Sequence, residues 1–299
     1  MIKSINALLT FCEGPHDVAY VRMVLRKLLN FKIVKAKFKE LPSPFNAIFK
    51  KTVQEYVQGD LSLDMAHKFF LPDTILQNGN HMILLFNCGG KDNYDKVRTL
   101  ISDYLEALQD ARTFPQGAED VVDSTRYLFV YDADAKGIKD ICCDVTTNFC
   151  SINNGEDFIT QDWGKAPHSD FGRVAGDKAV YVWGENPGRG TLEDILIPLF
   201  ANDNEELMTK ATSAVVKMFP RDTDNNDAII AVPALAKQKK SILTLLGQGE
   251  KPGSSIAVIL EQSKLLTDTT LKDDERTGAF TKFVAEFINL RSTRVLEVM

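Results

Sequence analysis

Ala7-Leu8-Leu9-Thr10-Phe11-Cys12 runs directly into Glu13-Gly14-Pro15-His16-Asp17. The apolar run has the length of a buried strand. Pro15 suits the first turn of a helix, where its missing N–H would have no partner in any case. Val18, Val21, Leu25 and Leu28 then recur at helical spacing through Leu29. Strand, acidic turn and helix make half of a βαβ unit. A second run, Tyr127-Leu128-Phe129-Val130-Tyr131, ends in Asp132-Ala133-Asp134. Each strand thus delivers carboxylates at its C-terminal end, the edge at which open α/β sheets bind ligands.

Working outward, the spacing predicts the first strand near Ser4–Phe11. Residues 31–41 alternate Lys35, Lys37 and Lys39 with Val34, Ala36 and Phe38, the period of a half-exposed or edge strand. A less regular stretch from Pro42 to Asn80 holds a helix around Phe45–Tyr56. His81–Asn87 reads as another buried strand, ending in Cys88-Gly89-Gly90-Lys91, with Asp92 or Asn93 available to cap a helix to about Ala111. A loop is expected over 113–123, and 136–177 reads as a polar, Gly-rich insertion or long loop. A strand at Lys178–Val182 leads to Asn186-Pro187-Gly188-Arg189-Gly190, and Thr191 can cap a helix at Leu192–Phe200. Helices are expected near 205–219, 233–246, 254–266 and 276–290, with a polar turn within 203–232. Strands alternating with helices predict an α/β fold with a mainly parallel sheet flanked by helices. The α/β region spans 1–200, with insertions near 42–80 and 136–177, and a helical C-terminal region over 201–299 packs on it.

The chain has 299 residues, 44% hydrophobic and 25% charged, an ordinary globular balance that can bury a substantial core. No apolar stretch approaches the roughly 20 residues needed to span a bilayer, so no membrane partner is expected. The first residues run directly into a strand and do not read as a signal peptide. Five cysteines (Cys12, Cys88, Cys142, Cys143, Cys150) lack C-x-x-C spacing and read as inert thiols in a reducing cytoplasm. The net charge of −6 argues against a DNA-coating protein. Residues 1–60, however, hold ten Lys/Arg against five Asp/Glu. A local basic surface of that kind suits phosphate, and a solvated face gives the same composition.

Glu13 and Asp17 flank one strand-to-helix turn. Asp132 and Asp134, two apart, point to the same face if the strand stays extended. If the two strands are neighbours, four carboxylates converge, and their repulsion would raise their pKa values unless a cation supplies counter-charge. Mg²⁺, with Mn²⁺ as a substitute, takes such hard oxygen ligands and can activate water against a phosphodiester. Two ions about 4 Å apart would clamp the attacking and leaving oxygens. Helix caps and turn residues are the structural alternative.

This set resembles the TOPRIM domain, shared by topoisomerases, bacterial primases and nucleases of the overcoming-lysogenization-defect (OLD) type. The family carries a glutamate at the end of its first strand and D-x-D at the end of a later one, matched here by Glu13 and by Asp132 with Asp134. Glu13-Gly14-Pro15-His16-Asp17 looks like the E-G-x-x-D form of the OLD-like branch, which implicates Asp17. Asn87-Cys88-Gly89-Gly90-Lys91 looks like that branch's Gly-Gly turn. Gly190-Thr191-Leu192-Glu193-Asp194 resembles its G-x-L-E-D segment, which adds Glu193. The likeness covers roughly residues 5–200 and is nearest to small stand-alone TOPRIM proteins of DUF3226-like type. No ATPase, topoisomerase tyrosine domain or primase unit accompanies it.

The resemblance implies a metal site of Glu13, Asp17, Asp132, Asp134 and Glu193, with Glu13 in general acid/base work. It implies a Mg²⁺-dependent nuclease acting on DNA or RNA in a defence system, with nucleic acid as the main partner. A protein partner or second copy of the chain is the other partner expectation. A non-catalytic module binding nucleic acid or a protein, and a nucleotide phosphohydrolase or nucleotidyl transferase, are the other readings. Lys91 could contact a phosphate and Arg189 could stabilise transition-state charge, against plain surface roles for both. For His16, for the basic cluster Lys237, Lys239 and Lys240, and for Trp163 and Trp183, exposed or packing roles are the simpler expectation.

Overall fold

The apolar run around Leu8 forms a central strand of an eight-stranded sheet. A computed structural model describes residues 4–57, 70–113, 120–152, 156–218 and 232–289. In chain order the first half holds β1 (Ser4–Cys12), α1 (Pro15–Leu28), β2 (Lys32–Ile33), a 3-10 turn (Phe38–Glu40), α2 (Phe45–Val57), β3 (Thr74–Asn78), β4 (His81–Asn87), α3 (Tyr94–Thr113) and β5 (Val121–Asp132). Then follow α4 (Gly137–Phe149), the short β6 (Ser151–Ile152), β7 (Glu156–Asp157), β8 (Gly164–Lys165) and β9 (Gly172–Ala175), and β10 (Lys178–Trp183). The chain continues with α5 (Glu193–Asp203), α6 (Glu205–Met218), α7 (Val232–Gly247), α8 (Ile256–Gln262), α9 (Asp268–Asp273) and α10 (Glu275–Phe287).

The sheet order is β2-β3-β4-β1-β5-β10-β9-β8. The central four strands, β4, β1, β5 and β10, are parallel, and antiparallel strands flank them on both sides. β1 therefore lies beside β5, with Cys12 opposite Val130, so the two acidic strand ends are neighbours.

Both faces of the sheet are covered, which is why its parallel strands read as unbroken apolar runs. Along β1, Ile5, Ala7, Leu9 and Phe11 pack on one face with side chains of α2, α3 and α4. Leu8 and Cys12 point to the other, where α1 and the helices α5 to α10 gather. Tyr181, Trp183, Phe280 and Phe283 form an aromatic cluster there, and the Tyr20 and Thr277 hydroxyls meet at 2.7 Å. The helical C-terminal region is thus part of the layer that closes one face.

Several expectations need correction. Of 31–41, only Lys32 and Ile33 pair as a strand, at the sheet edge; beyond them Lys37–Leu41 closes into the 3-10 turn. The stretch 136–177 is not a long loop: it supplies α4, whose Ile138, Ile141, Cys142, Val145 and Phe149 are buried, and β9, which pairs with β10. β3, a five-residue strand beside β4, falls in the region expected to be irregular. Parts of the expected loop over 113–123 (114–119), of 42–80 (58–69) and of the polar turn (219–231) lie outside the described residues. No helix among the described residues is long and apolar enough to cross a membrane.

Leu9 is fully buried in the central strand. Leu9→Ala is expected to cost about 2–5 kcal/mol, as large-to-small changes in closed cores do. Urea unfolding reads this, and a loss under about 1 kcal/mol would contradict the packing described.

Candidate active site

The site is built where β1 and β5 end. Glu13 continues β1: its N–H donates to the Val130 carbonyl at 3.0 Å, and its carbonyl accepts from Gly90 at 2.9 Å. Its side chain turns toward β5, and Oε2 accepts from the Asp132 N–H at 3.1 Å. Pro15 opens α1, and Asp17 in its first turn accepts from the Gly14 N–H through Oδ2 at 2.9 Å. Asp132 closes β5, and its Oδ1 accepts from the Leu192 N–H at 2.7 Å. Glu193 stands in the first turn of α5 and is 2% exposed. Glu13, Asp17, Asp132 and Glu193 thus line one pocket of about 140 Å³, with His16 and Lys240.

Like charge and burial act together here. Burial, then the Glu13 charge, pushes the Asp17 carboxyl up to about 7 against the lowering effect of the Gly14 N–H. Asp132 is held well above the carboxylate range by burial, then by Asp17, Glu13 and Glu193. Burial also raises Glu13, opposed by the Lys91 ammonium, and lowers His16, opposed by Glu193. His16 is only partly exposed, with Nδ1 4.0 Å from Glu193 Oε1, so it is a wall of the pocket rather than an exposed first-turn residue.

Asp134 stands apart from this pocket. Its φ of 47° ends the extended geometry, and it is not among the residues that line the pocket. Its N–H donates to the Gly190 carbonyl at 2.6 Å, and its carbonyl accepts from the Gly190 N–H at 2.8 Å. At Gly190, with φ 109°, a Cβ would come within 2.4 Å of the Glu185 nitrogen. The Asp134 carboxylate instead takes the Lys91 ammonium at 2.6 Å. Lys91 also donates to the Asp132 carbonyl at 2.7 Å and lies 3.5 Å from Glu13 Oε2, so it is held against the acidic cluster. Arg189 is exposed and pairs with Glu185 at 3.1 Å.

Lys240, expected on a solvated face, reaches the pocket with its ammonium 3.9 Å from Glu193 Oε1, and Lys239 pairs with Asp194. The basic cluster was visible in the sequence; its delivery to this site by α7 was not, because that depends on tertiary packing. Lys237 is exposed. Trp183 is buried in the core, and the Trp163 indole donates to Thr146 at 2.8 Å. Thr191 makes no cap bond: its N–H donates to Asp194, and its buried hydroxyl has no hydrogen-bond partner among the described residues.

Among the described residues, no three His, Cys, Asp or Glu side chains form, as they stand, a group that could hold a metal ion. Three of the four carboxylates in the pocket each commit one oxygen to a backbone N–H. The donor chemistry nevertheless fits a hard cation: Asp17 Oδ1 and Glu193 Oε2 are buried without a hydrogen-bond partner among the described residues. A buried carboxylate oxygen left without partner is costly, and a divalent ion satisfies several at once.

No protein-family model and no curated protein matches this chain. A solved structure, that of a hypothetical protein from Pyrococcus horikoshii OT3, aligns over 96% of each chain at 14% identity and a TM-score of 0.45. A likeness that remote carries no argument.

The raised Asp17 predicts a pH signature in the chelated protein. The folded state holds this proton up to about 7, whereas the unfolded chain releases it near the ordinary Asp value of about 3.9. The Asp17 contribution to stability is therefore full below pH ~4 and is lost as pH rises toward 7. In EDTA, Asp17→Asn is expected to gain in Tm relative to the parent across that window and to level off above it. A difference that does not change with pH would contradict the assignment.

Proposed function

We propose that this chain is a TOPRIM-like, divalent-cation-dependent nuclease that hydrolyses phosphodiester bonds in DNA or RNA. The observation that carries this reading is one pocket lined by Glu13, Asp17, Asp132 and Glu193. In it two buried carboxylate oxygens have no partner among the described residues. Its place at the C-terminal ends of parallel strands is where α/β sheets bind substrates.

Asp17, Asp132, Glu193 and Glu13 would hold Mg²⁺ or Mn²⁺, which when bound supplies Lewis-acid stabilisation of phosphate charge and lowers the pKa of its water. Glu13, like Asp132, is partly exposed, its side chain 24% exposed, and is suited to taking a proton from the attacking water. Lys91, beside Glu13 and Asp134, and Lys240, beside Glu193, are the cations that can meet the phosphate oxygens of a substrate. His16, held toward its neutral form by burial, walls the pocket beside Glu193.

A non-catalytic nucleic-acid or partner-binding module is the second reading. It draws on the observation that, among the described residues, no ready-made ligand group exists. Cleavage separates the two. With Mg²⁺ or Mn²⁺ the protein is expected to cut DNA or RNA oligonucleotides, and Glu13→Gln to lose about 10²-fold or more of that rate. Failure to cut either polymer with either metal, or an unimpaired Glu13→Gln, overturns the nuclease reading. Turnover confined to mononucleotides would instead make the chain a nucleotide phosphohydrolase.

A further inference from the structure

Lys91 sits where a cation would sit. Its ammonium is 2.7 Å from the Asp132 carbonyl oxygen, 2.6 Å from Asp134 Oδ2 and 3.5 Å from Glu13 Oε2. One backbone oxygen and two carboxylates around a single positive centre are the ligand types that divalent ions choose in proteins. The side chain is 16% exposed and is not a freely swinging surface lysine. It leaves a turn tied to the end of β1: Cys88 donates to the Cys12 carbonyl at 2.9 Å and Gly90 to the Glu13 carbonyl at 2.9 Å. The turn is further fixed by Asn93, whose amide donates to the carbonyls of Cys88 and Gly89 at 2.9 and 2.8 Å. Gly89 and Gly90 take φ values of 71° and 120°, which suit glycine.

The other carboxylates are arranged differently. Asp17 Oδ1 and Glu193 Oε2 lie in the pocket without a hydrogen-bond partner among the described residues, and the Lys240 ammonium stands 3.9 Å from Glu193 Oε1, whereas Asp134 holds the Lys91 ammonium at 2.6 Å. The acidic residues therefore divide into a pocket that calls for a cation and a flank that holds one covalently attached to the chain. Glu13 stands between the two, facing Lys91 and lining the pocket.

We infer that the Lys91 ammonium takes the place of a second metal ion, so that the site works with one divalent cation and one lysine. This rests on the metal-dependent reading proposed above. Lys91 then acts as a built-in positive charge beside Glu13, and Asp134 serves to hold that lysine rather than an ion. The two-ion arrangement expected from the acidic motifs is replaced by one ion.

Counting bound Mn²⁺ tests this without any activity assay. Equilibrium dialysis together with electron paramagnetic resonance is expected to give one Mn²⁺ per chain, with the six-line spectrum of an isolated ion. Lys91→Met frees Asp134, Glu13 and the Asp132 carbonyl, and is expected to take up a second Mn²⁺ with spin coupling between the two. Lys91→Arg, which keeps the charge, is expected to hold the count at one, and circular dichroism checks that both variants fold. Two ions in the parent protein would overturn the inference and leave the metal-dependent reading standing. A Lys91→Met protein that still takes one ion would also overturn it. No bound Mn²⁺ in the parent would overturn the metal-dependent reading beneath it.

Discussion

Four carboxylates cannot all remain ionised in one small, mostly buried pocket without counter-charge. That constraint organises the end of this sheet. Three of the four each draw one backbone N–H: Asp132 for Glu13, Gly14 for Asp17 and Leu192 for Asp132. Two lysines from distant elements approach, Lys91 from the turn after β4 and Lys240 from α7. What remains is an excess of acid with raised proton affinity and two buried oxygens, Asp17 Oδ1 and Glu193 Oε2, without a partner among the described residues. On the function proposed above, a divalent cation supplies the missing counter-charge.

The fold is what makes the cluster unavoidable. β1 and β5 are parallel neighbours with both faces covered, so their C-terminal ends meet at one edge. α1 starts immediately after β1 because Pro15 and Asp17 favour a first turn there, and this brings Asp17 back over the strand end. β10 lies beside β5, and the turn after it carries Glu193 into the same place. The C-terminal helices take part as well: Arg276 of α10 donates to the carbonyls of Gly184, Glu185 and Asp194, which ties the turn before α5 to the helical layer.

Much of this was legible in the sequence, for physical reasons. β1, β4, β5 and β10 are buried on both faces and therefore spell unbroken apolar runs, and the apolar spacing of α1 marks its inward stripe. Elements with mixed composition were not legible. β3 is short and ends in Gln77 and Asn78. α4 carries Cys, Thr, Asn and Asp, and its identity as a helix comes from packing Ile141, Val145 and Phe149 under the sheet. In the site, Glu13, Asp17 and Asp132 could be named because each directly follows or opens a regular element, whereas Glu193 was named only through the resemblance of its segment to G-x-L-E-D. The end of extended geometry at Asp134 is not written in Asp-Ala-Asp; its φ of 47° accompanies the bridge to Gly190. Lys240 could not be placed because only tertiary packing brings α7 over α5.

The most direct test of the account is the position of a bound ion. Crystals grown with Mn²⁺ and measured near its absorption edge are expected to show an anomalous peak inside the pocket formed by Glu13, Asp17, Asp132 and Glu193, at metal–oxygen distances of about 2.0–2.3 Å. Absence of a peak there at saturating Mn²⁺, with the carboxylates undisturbed, would contradict the claim that this buried acidic cluster exists to hold a cation.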